Sequence, residues 1–260
     1  MSSVTTWRLD LAYEGTEFAG WARQPGQRTV QGVVEEAIGK ILGGADVQLT
    51  VAGRTDAGVH ATGQVASFEL DREPPDNLAR RISAVLPREV AVLAAEPAPE
   101  GFDARRWARS RRYTYRVLTT PTRHPFEEGR ALWWPDRLGR AALDECAASV
   151  RGEHDFTAFT PTQTEHVRFE RVVLASEWVQ ESEHVLAYRI EADAFMRNMI
   201  RILVGTMLEV ADGKRTVEDF RELLEGASRE RAGETAPAHG LYFTGATFGE
   251  GPAFEYPEST

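Results

Sequence analysis

One short stretch in the first quarter of the chain carries the residue types that chemistry on a substrate requires. Arg54 and Asp56 lie two residues apart, with Gly53 and Gly58 on either side. A neighbouring guanidinium favours the ionised form of a carboxyl group, and glycine lets the backbone bend sharply or approach a ligand closely. An ionised aspartate in a cleft can act as nucleophile, base or metal ligand. The simplest alternative is a surface ion pair between Arg54 and Asp56.

The segments on either side of this stretch have the composition of strands. Residues 47–51 and 64–70 are short apolar runs, and the polar segment between them is too long for a tight hairpin turn. The sequence therefore predicts a loop held between two strands of a sheet. Such a loop is a common position for catalytic residues.

The complete string is more specific than the arginine and aspartate alone. It reads GRTDAGVHA over residues 53–61 and continues as GQV over residues 63–65. This string closely resembles the signature of the TruA family of tRNA pseudouridine synthases. The resemblance implies that Asp56 is the catalytic nucleophile and that the chain isomerises uridine in tRNA, at about positions 38 to 40 of the anticodon stem-loop.

The resemblance extends over most of the chain. Further matching strings are YEGT at 13–16, GW at 20–21, TVQ at 29–31, FDAR at 102–105, RYTY at 112–115 and APAHGL at 236–241. Two departures are Ala22, where the family usually has glutamine, and Ser83, where it tends to have asparagine. Ser83 lies away from the reactive residues, and neither departure affects the assignment of Asp56.

The resemblance also implies roles for other residues. Tyr113 would contact the target uracil, although a tyrosine on a strand face is as often part of sheet packing. Arg201 would pair with Asp56 and keep it ionised, although it could simply reach out to solvent. Leu241 would also bind the substrate. Arg54 would fill the space that the flipped base leaves, and the remaining implied RNA contacts are Phe102, Asp103, Ala104, Arg105 and Arg106.

The order of predicted elements gives the fold class. The first half reads β-α-β-β-α-β, with strands at 7–13, 47–51, 64–70 and 90–93 and helices after Thr29 and after residue 76 or 77. The second half repeats this order with strands at 112–118, 167–179, 184–192 and 241–248, and helices at 137–150, at 195–211 and from Thr216. We predict an α+β fold of two ferredoxin-like halves, 1–104 and 105–260, with antiparallel sheets around a central cleft.

A basic segment stands out from an acidic chain. The chain has 40 acidic and 30 basic residues, for a formal net charge of −10. Residues 102–116 nevertheless contain six arginines and a single acidic residue, interleaved with Trp107, Tyr113 and Tyr115. Basic groups beside aromatic rings are typical of RNA binding, because they contact phosphates and stack on bases.

The composition also indicates the environment of the protein. Cys146 is the single cysteine and no apolar run reaches the length of a membrane span, so we expect a cytoplasmic protein without membrane association. Lys40 and Lys214 are the only lysines. Excess carboxylates with few lysines suggest a halophilic source, and a high-GC genome is the alternative explanation for the arginine bias. The resemblance implies a homodimer.

Two other functions remain open at this point. A non-catalytic RNA-binding protein could keep the fold and the arginines without turnover. A metal-dependent hydrolase could use Asp56, His60 and His154, although their spacing matches no zinc pattern. Pseudouridine formation itself neither adds nor removes atoms overall, so it requires no cofactor and no metal.

Overall fold

The computed structural model describes residues 4–164 and 167–253, and these divide into two compact units. The first unit contains the described residues up to Arg111 together with those from Phe243 onward, and the second runs from Arg112 to Tyr242. The chain passes between the units inside two strands. The assignment of 1–104 and 105–260 as functional halves stays a prediction.

The first unit has the predicted β-α-β-β-α-β order. Its elements are β1 (Thr5–Tyr13), α1 (Val30–Ile41), β2 (Thr50–Val51), β3 (His60–Leu70), α2 (Leu78–Val85) and β4 (Val90–Pro97). Strand β1 pairs antiparallel with both β3 and β4, and β2 pairs antiparallel with β3. On its other side β3 neighbours β10 (Leu241–Phe248), whose residues from Phe243 on belong to this unit.

The second unit repeats the order with additions. Its elements are β5 (Ala108–Leu118), β6 (Leu132–Trp133), α3 (Arg140–Val150), β7 (Gly152–Asp155), β8 (Glu170–Gln180), β9 (Val185–Ala192), α4 (Met199–Ala211) and α5 (Val217–Glu222). The strand order is β5-β9-β8-β7, and the short β6 pairs parallel with β5. Both units are mixed helix and sheet with mostly antiparallel pairing, which confirms the α+β class. The cleft stays a prediction.

Helix starts that depend on side-chain caps are confirmed. The Thr29 side chain accepts a 3.3 Å hydrogen bond from the backbone N–H of Gly32 at the start of α1. At the start of α5, Thr216 and Asp219 form a reciprocal capping box with both distances at 3.0 Å. Each pair satisfies backbone donors that the first helical turn leaves unbonded.

Several boundaries differ from the sequence prediction. Strand β3 begins at His60 rather than at residue 64, and β2 keeps only two of its five predicted residues. Helix α4 begins at Met199 rather than at 195, because Asn198 has a left-handed backbone with φ of 59°. Strands β6 and β7 were not predicted, since runs of two and four residues carry little periodicity.

The buried core of each unit includes residues of both its helices and its strands. In the first unit, the fully or nearly fully buried side chains include Leu9, Leu11, Ala66, Phe68, Val34, Ile38 and Ile82. In the second unit the corresponding buried residues include Leu143, Val150, Tyr188, Leu203, Val204 and Phe220. Among the described residues, no helix is long and apolar enough to cross a membrane.

Candidate active site

The Asp56 loop, residues 52–59, connects β2 to β3 and packs against the segment that follows β1. The backbone N–H of Trp21 donates a 3.0 Å hydrogen bond to the Thr55 carbonyl, and that of Gly58 donates a 3.3 Å bond to the Phe18 carbonyl. Gly20 has φ of +96°, and a Cβ there would lie 2.8 Å from the Thr55 carbonyl oxygen. Glycine is therefore required at position 20 for the close approach of the two segments.

Three hydrogen-bonded polar side chains support the loop from inside the first unit. The Tyr13 hydroxyl lies 2.8 Å from Thr55 Oγ1, and Gln64 Nε2 lies 3.2 Å from the Tyr13 hydroxyl and 2.8 Å from the Gly53 carbonyl oxygen. Tyr13, Thr55 and Gln64 are 4%, 7% and 0% exposed. Burial raises the pKa of Tyr13 to about 12, so its hydroxyl remains protonated at physiological pH.

Two further hydrogen bonds hold the backbone at the start of the loop. The Ala52 N–H donates to the Val65 carbonyl at 2.9 Å, and Arg111 Nε donates to the Ala52 carbonyl at 3.0 Å. The same guanidinium donates through Nη2 to the Arg105 carbonyl at 2.9 Å. The Arg111 side chain therefore links the loop to the start of the basic segment, through hydrogen bonds to the carbonyls of Ala52 and Arg105.

The end of the loop is a tight turn followed by a buried histidine. The Val59 N–H donates to the Asp56 carbonyl at 3.2 Å, and Gly58 has φ of +76°. His60 is 2% exposed, and its Nδ1 accepts a 2.9 Å bond from the Gly15 N–H. Its Nδ1 also lies 3.3 Å from a carboxylate oxygen of Glu14. Among residues 4–164 and 167–253, no group of three or more His, Cys, Asp and Glu side chains is placed to hold a metal.

The two side chains singled out by the sequence are the least constrained part of the loop. Arg54 is exposed and Asp56 is partly exposed. Within the described residues of the first unit, neither side chain forms a hydrogen bond or an ion pair, so the surface ion pair between them is absent. Within the described part of the first unit, the loop thus presents a carboxylate without a side-chain partner, on a backbone that is bonded at residues 52, 53, 55, 56 and 58.

The basic segment begins with a compact turn. Asp103 Oδ1 accepts hydrogen bonds from the backbone N–H groups of Arg105 and Arg106, at 2.8 and 2.7 Å. Ala104 is fully buried and its N–H donates to Ser67 Oγ at 3.0 Å, while Phe102 is buried edge-on against neighbouring rings. These contacts give Phe102, Asp103 and Ala104 structural roles that hold Arg105 and Arg106 at an exposed position. Direct contact of these five residues with RNA stays a prediction.

In the second unit, Tyr113 lies on the inward face of β5. It is 8% exposed, and its ring meets Phe195 edge-on with centroids 5.1 Å apart. Tyr115 shares this face, is fully buried and donates its hydroxyl hydrogen to the Pro237 carbonyl at 2.8 Å. Leu241, at the start of β10, is also buried. The contact of Tyr113 and Leu241 with substrate stays a prediction.

Arg201 is fixed at the start of α4. Its Nε donates to the Ala236 carbonyl at 2.7 Å and its Nη1 donates to Asn198 Oδ1 at 3.1 Å. The Arg201 carbonyl in turn accepts from the Ala236 N–H at 3.0 Å. The side chain is therefore held in one orientation rather than extended freely into solvent. Its pairing with Asp56 stays a prediction.

Comparison with known proteins establishes the family of the chain. A family model described as tRNA pseudouridine synthase matches residues 11–105 and 146–249. The chain belongs to the TruA family of tRNA pseudouridine synthases. Its relatives named tRNA pseudouridine synthase A include one from Frankia casuarinae, 47% identical over 236 residues that cover 90% of this chain and 86% of the relative. Others are from Leifsonia xyli, 43% identical with 92% and 90% covered, and from Myxococcus xanthus, 39% identical with 97% and 96% covered.

Knowledge of the TruA signature did not reveal which residues support the loop. The sequence alone indicates no individual role for Tyr13, Gln64 or Gly20, and offers His60 only as a possible metal ligand. A signal was present for two of them. Tyr13 continues the inward positions of β1 after Leu9 and Leu11, and Gln64 is fully buried in β3. Polar side chains at inward strand positions need hydrogen-bond partners, and here the partners belong to the Asp56 loop.

Proposed function

We propose that this protein converts uridine to pseudouridine in tRNA and that Asp56 is the nucleophile. Membership of the TruA family supports the reaction class. The assignment of Asp56 depends on the exposure and surroundings of its carboxylate. This carboxylate is partly exposed and without a side-chain partner in the described first unit, on a loop whose backbone is bonded on both sides.

The proposed reaction is an isomerisation. The bond from N1 of the base to C1′ of the ribose breaks, the base turns, and a bond from C5 to C1′ forms. The hydrogen on C5 is lost and N1 gains one, so atoms balance without a redox partner. An ionised carboxylate near C1′ and C6 can open this sequence by attack on either carbon, and both routes place Asp56 at the reacting atoms.

Loop geometry supports this role through preorganisation. A nucleophile is effective when its position is set before the substrate binds, because the ordering entropy has then already been lost. The backbone bonds at residues 52, 53 and 55 and the close contact at Gly20 hold the loop, while the Asp56 side chain remains available. A partly exposed carboxylate on a well-bonded loop, with no side-chain partner within the described first unit, is accessible to a substrate.

Residues outside the loop would handle the substrate. We propose that Tyr113, Arg201 and Leu241 bind the target nucleotide, and that Arg54 fills the stack when the base is flipped. The exposed position of Arg54 supports that role. Arg105 and Arg106 would contact phosphates, and Phe102, Asp103 and Ala104 would present them, which is consistent with the hydrogen bonds of the Asp103 carboxylate.

The biological setting is proposed on the family resemblance. The expected targets are uridines at about positions 38 to 40 of the anticodon stem-loop. We further propose that the protein works in the cytoplasm as a homodimer, so that one tRNA contacts both subunits.

A tritium-release assay tests the proposed function. The substrate is tRNA carrying tritium at C5 of its uridines, because C5 loses its hydrogen only if the new carbon–carbon bond forms there. Release of tritium from an anticodon stem-loop uridine is the expected result. Binding of tRNA without any release would instead identify a non-catalytic RNA-binding protein.

A further inference from the structure

Hydrogen-bond partners beneath the Asp56 loop fix the orientation of the Gln64 amide. Gln64 Oε1 accepts a 3.1 Å hydrogen bond from the Val65 backbone N–H, so the amide NH₂ group faces Tyr13 and Gly53. An amide nitrogen only donates, and the Tyr13 oxygen therefore accepts from it. In the 2.8 Å contact between the Tyr13 and Thr55 hydroxyls, either group can be the donor.

The result is a continuous hydrogen-bonded chain from Gln64 through Tyr13 to Thr55. Every member is at least nine-tenths buried, so no bulk water can replace a lost partner. This hydrogen-bonded chain contacts the loop at two points, the Gly53 carbonyl and the Thr55 side chain, which lie between β2 and Asp56 in the sequence. Thr55 is the residue immediately before Asp56.

We propose that Tyr13 and Gln64 are positioning residues for the pseudouridine reaction, because the buried Gln64–Tyr13–Thr55 chain holds Asp56 in its reactive position. Neither residue touches the substrate in this role. The inference rests on the proposed function of Asp56 as nucleophile.

Loss of the Tyr13 hydroxyl would remove the link between strand β1 and Thr55. The ring would still fill its place beside Trp21, whose centroid lies 5.9 Å away, so Tyr13→Phe keeps the apolar packing. A reacting group displaced by about 1 Å can lose on the order of 10²-fold in rate. The effect should therefore appear in the chemical step and leave tRNA affinity almost unchanged.

Single-turnover tritium release with saturating tRNA measures that step. For Tyr13→Phe we expect a rate about tenfold to a hundredfold below the parent, with a tRNA Kd within about twofold of the parent value. Gln64→Met, which keeps the side-chain length but removes the donors, should give a similar loss. The double variant should be little slower than the slower single variant, because both changes break one chain.

Tyr188→Phe is the matched control. Tyr188 is fully buried in the second unit, and its hydroxyl lies 2.8 Å from Ser176 Oγ, the same separation as between Tyr13 and Thr55. It has no proposed role in the reaction. We expect both Tyr→Phe variants to lower the unfolding temperature, and only Tyr13→Phe to lower the rate when both are assayed well below that temperature. Equal rates for the two variants would overturn the proposal.

A second pair of variants keeps the test decisive if Tyr13→Phe does not fold. Thr55→Val removes the hydroxyl with little change in volume, and Thr55→Ser keeps a hydroxyl at this position. The expected result is a slow Thr55→Val and a Thr55→Ser close to the parent; equal rates for these two variants would reject the role of the chain. An inactive parent protein would reject the proposed function itself. An active parent with unaffected Tyr13 and Thr55 variants would reject the positioning role alone.

Discussion

The backbone N–H of Gly15 donates a 2.9 Å hydrogen bond to Nδ1 of the buried His60 side chain. Because Nδ1 is the acceptor, the neutral ring carries its proton on Nε2. The bond joins the segment after β1 to the end of the Asp56 loop. A Cβ on Gly15 would overlap the Val59 carbonyl, so this approach also requires glycine at position 15. His60 thus has a structural role, because a metal ion bound at Nδ1 would replace the hydrogen bond from Gly15.

The first prediction separates these roles of His60. His60→Leu would leave the Gly15 N–H without an acceptor in a buried place, and we expect a loss of about 1–3 kcal/mol in the free energy of unfolding. Denaturant unfolding measures it. Added chelator should change neither the stability nor the activity of the parent protein. Loss of activity on chelation that zinc restores would contradict this interpretation and favour the metal-dependent hydrolase.

The elements that local pattern encodes are the ones that the sequence predicted well. The Thr29 cap of α1 and the Thr216 capping box of α5 depend on residues three positions apart. Strands such as β1 and β9 could be predicted because their buried positions carry mostly apolar residues. In contrast, β3 was predicted to start at residue 64 because His60 and Gly63 do not resemble strand residues. Gly63 is selected by a contact far along the chain, since a Cβ there would lie 2.5 Å from the Thr244 carbonyl oxygen.

The candidate site shows the same division between local and distant information. A contiguous string identifies Arg54 and Asp56, whereas Tyr13 contacts the loop at a residue 42 positions away and Gln64 at one 11 positions away. Ser83 is a further case. Its hydroxyl accepts from the Val92 N–H and donates to the Val92 carbonyl, both at 2.9 Å, and so bonds the backbone of strand β4 to helix α2. Periodicity cannot indicate such pairs because it describes one element at a time.

The second prediction concerns alkaline pH. Burial raises the pKa of Tyr13 to about 12, while an unfolded tyrosine ionises near pH 10. Between these values the folded state retains a proton that the unfolded state releases, so the free energy of unfolding falls as pH rises, by about 1.4 kcal/mol per pH unit for one proton. Tyr13→Phe should remove this contribution and leave a shallower slope. Urea unfolding between pH 9 and 11 measures it, and an unchanged slope would contradict the assignment.

The third prediction tests the halophile hypothesis, which depends on the formal net charge of −10 and the presence of only two lysines. At a salt concentration of about 1 M the Debye length is about 3 Å, and repulsion between surface carboxylates is screened. We expect the unfolding temperature to rise between about 0.1 M and 3 M potassium chloride, while tRNA binding weakens. A flat unfolding temperature over this range would favour a high-GC genome as the source of the arginine bias.

The fourth prediction concerns Arg54 and base flipping. If its side chain fills the space of the flipped base, Arg54→Ala should reduce activity more on a base-paired uridine than on an unpaired one, because opening a pair costs a few kcal/mol. The measurement is tritium release from two anticodon stem-loops that differ only in pairing at the target. Arg72→Ala is the control, since Arg72 is 54% exposed and has no proposed role. Equal losses on both substrates would argue against this role for Arg54.

The last prediction concerns Asp56 itself. Asp56→Asn removes the charge and the nucleophile with almost no change in volume, and the partly exposed side chain has no partner within the described first unit. We therefore expect an unchanged unfolding temperature and a fall in tritium release of at least about 10³-fold, equivalent to about 4 kcal/mol of activation free energy. Asp46→Asn, at an exposed position of the same unit, should behave like the parent.

Binding of tRNA separates the two possible roles of Asp56. The proposed RNA contacts lie on other residues, so the Asp56→Asn protein should still bind tRNA, and the loss of carboxylate repulsion of phosphate should favour binding. A variant with a rate within about tenfold of the parent would exclude Asp56 as the nucleophile. Loss of binding together with activity would instead indicate that the carboxylate serves a structural ion pair with Arg201.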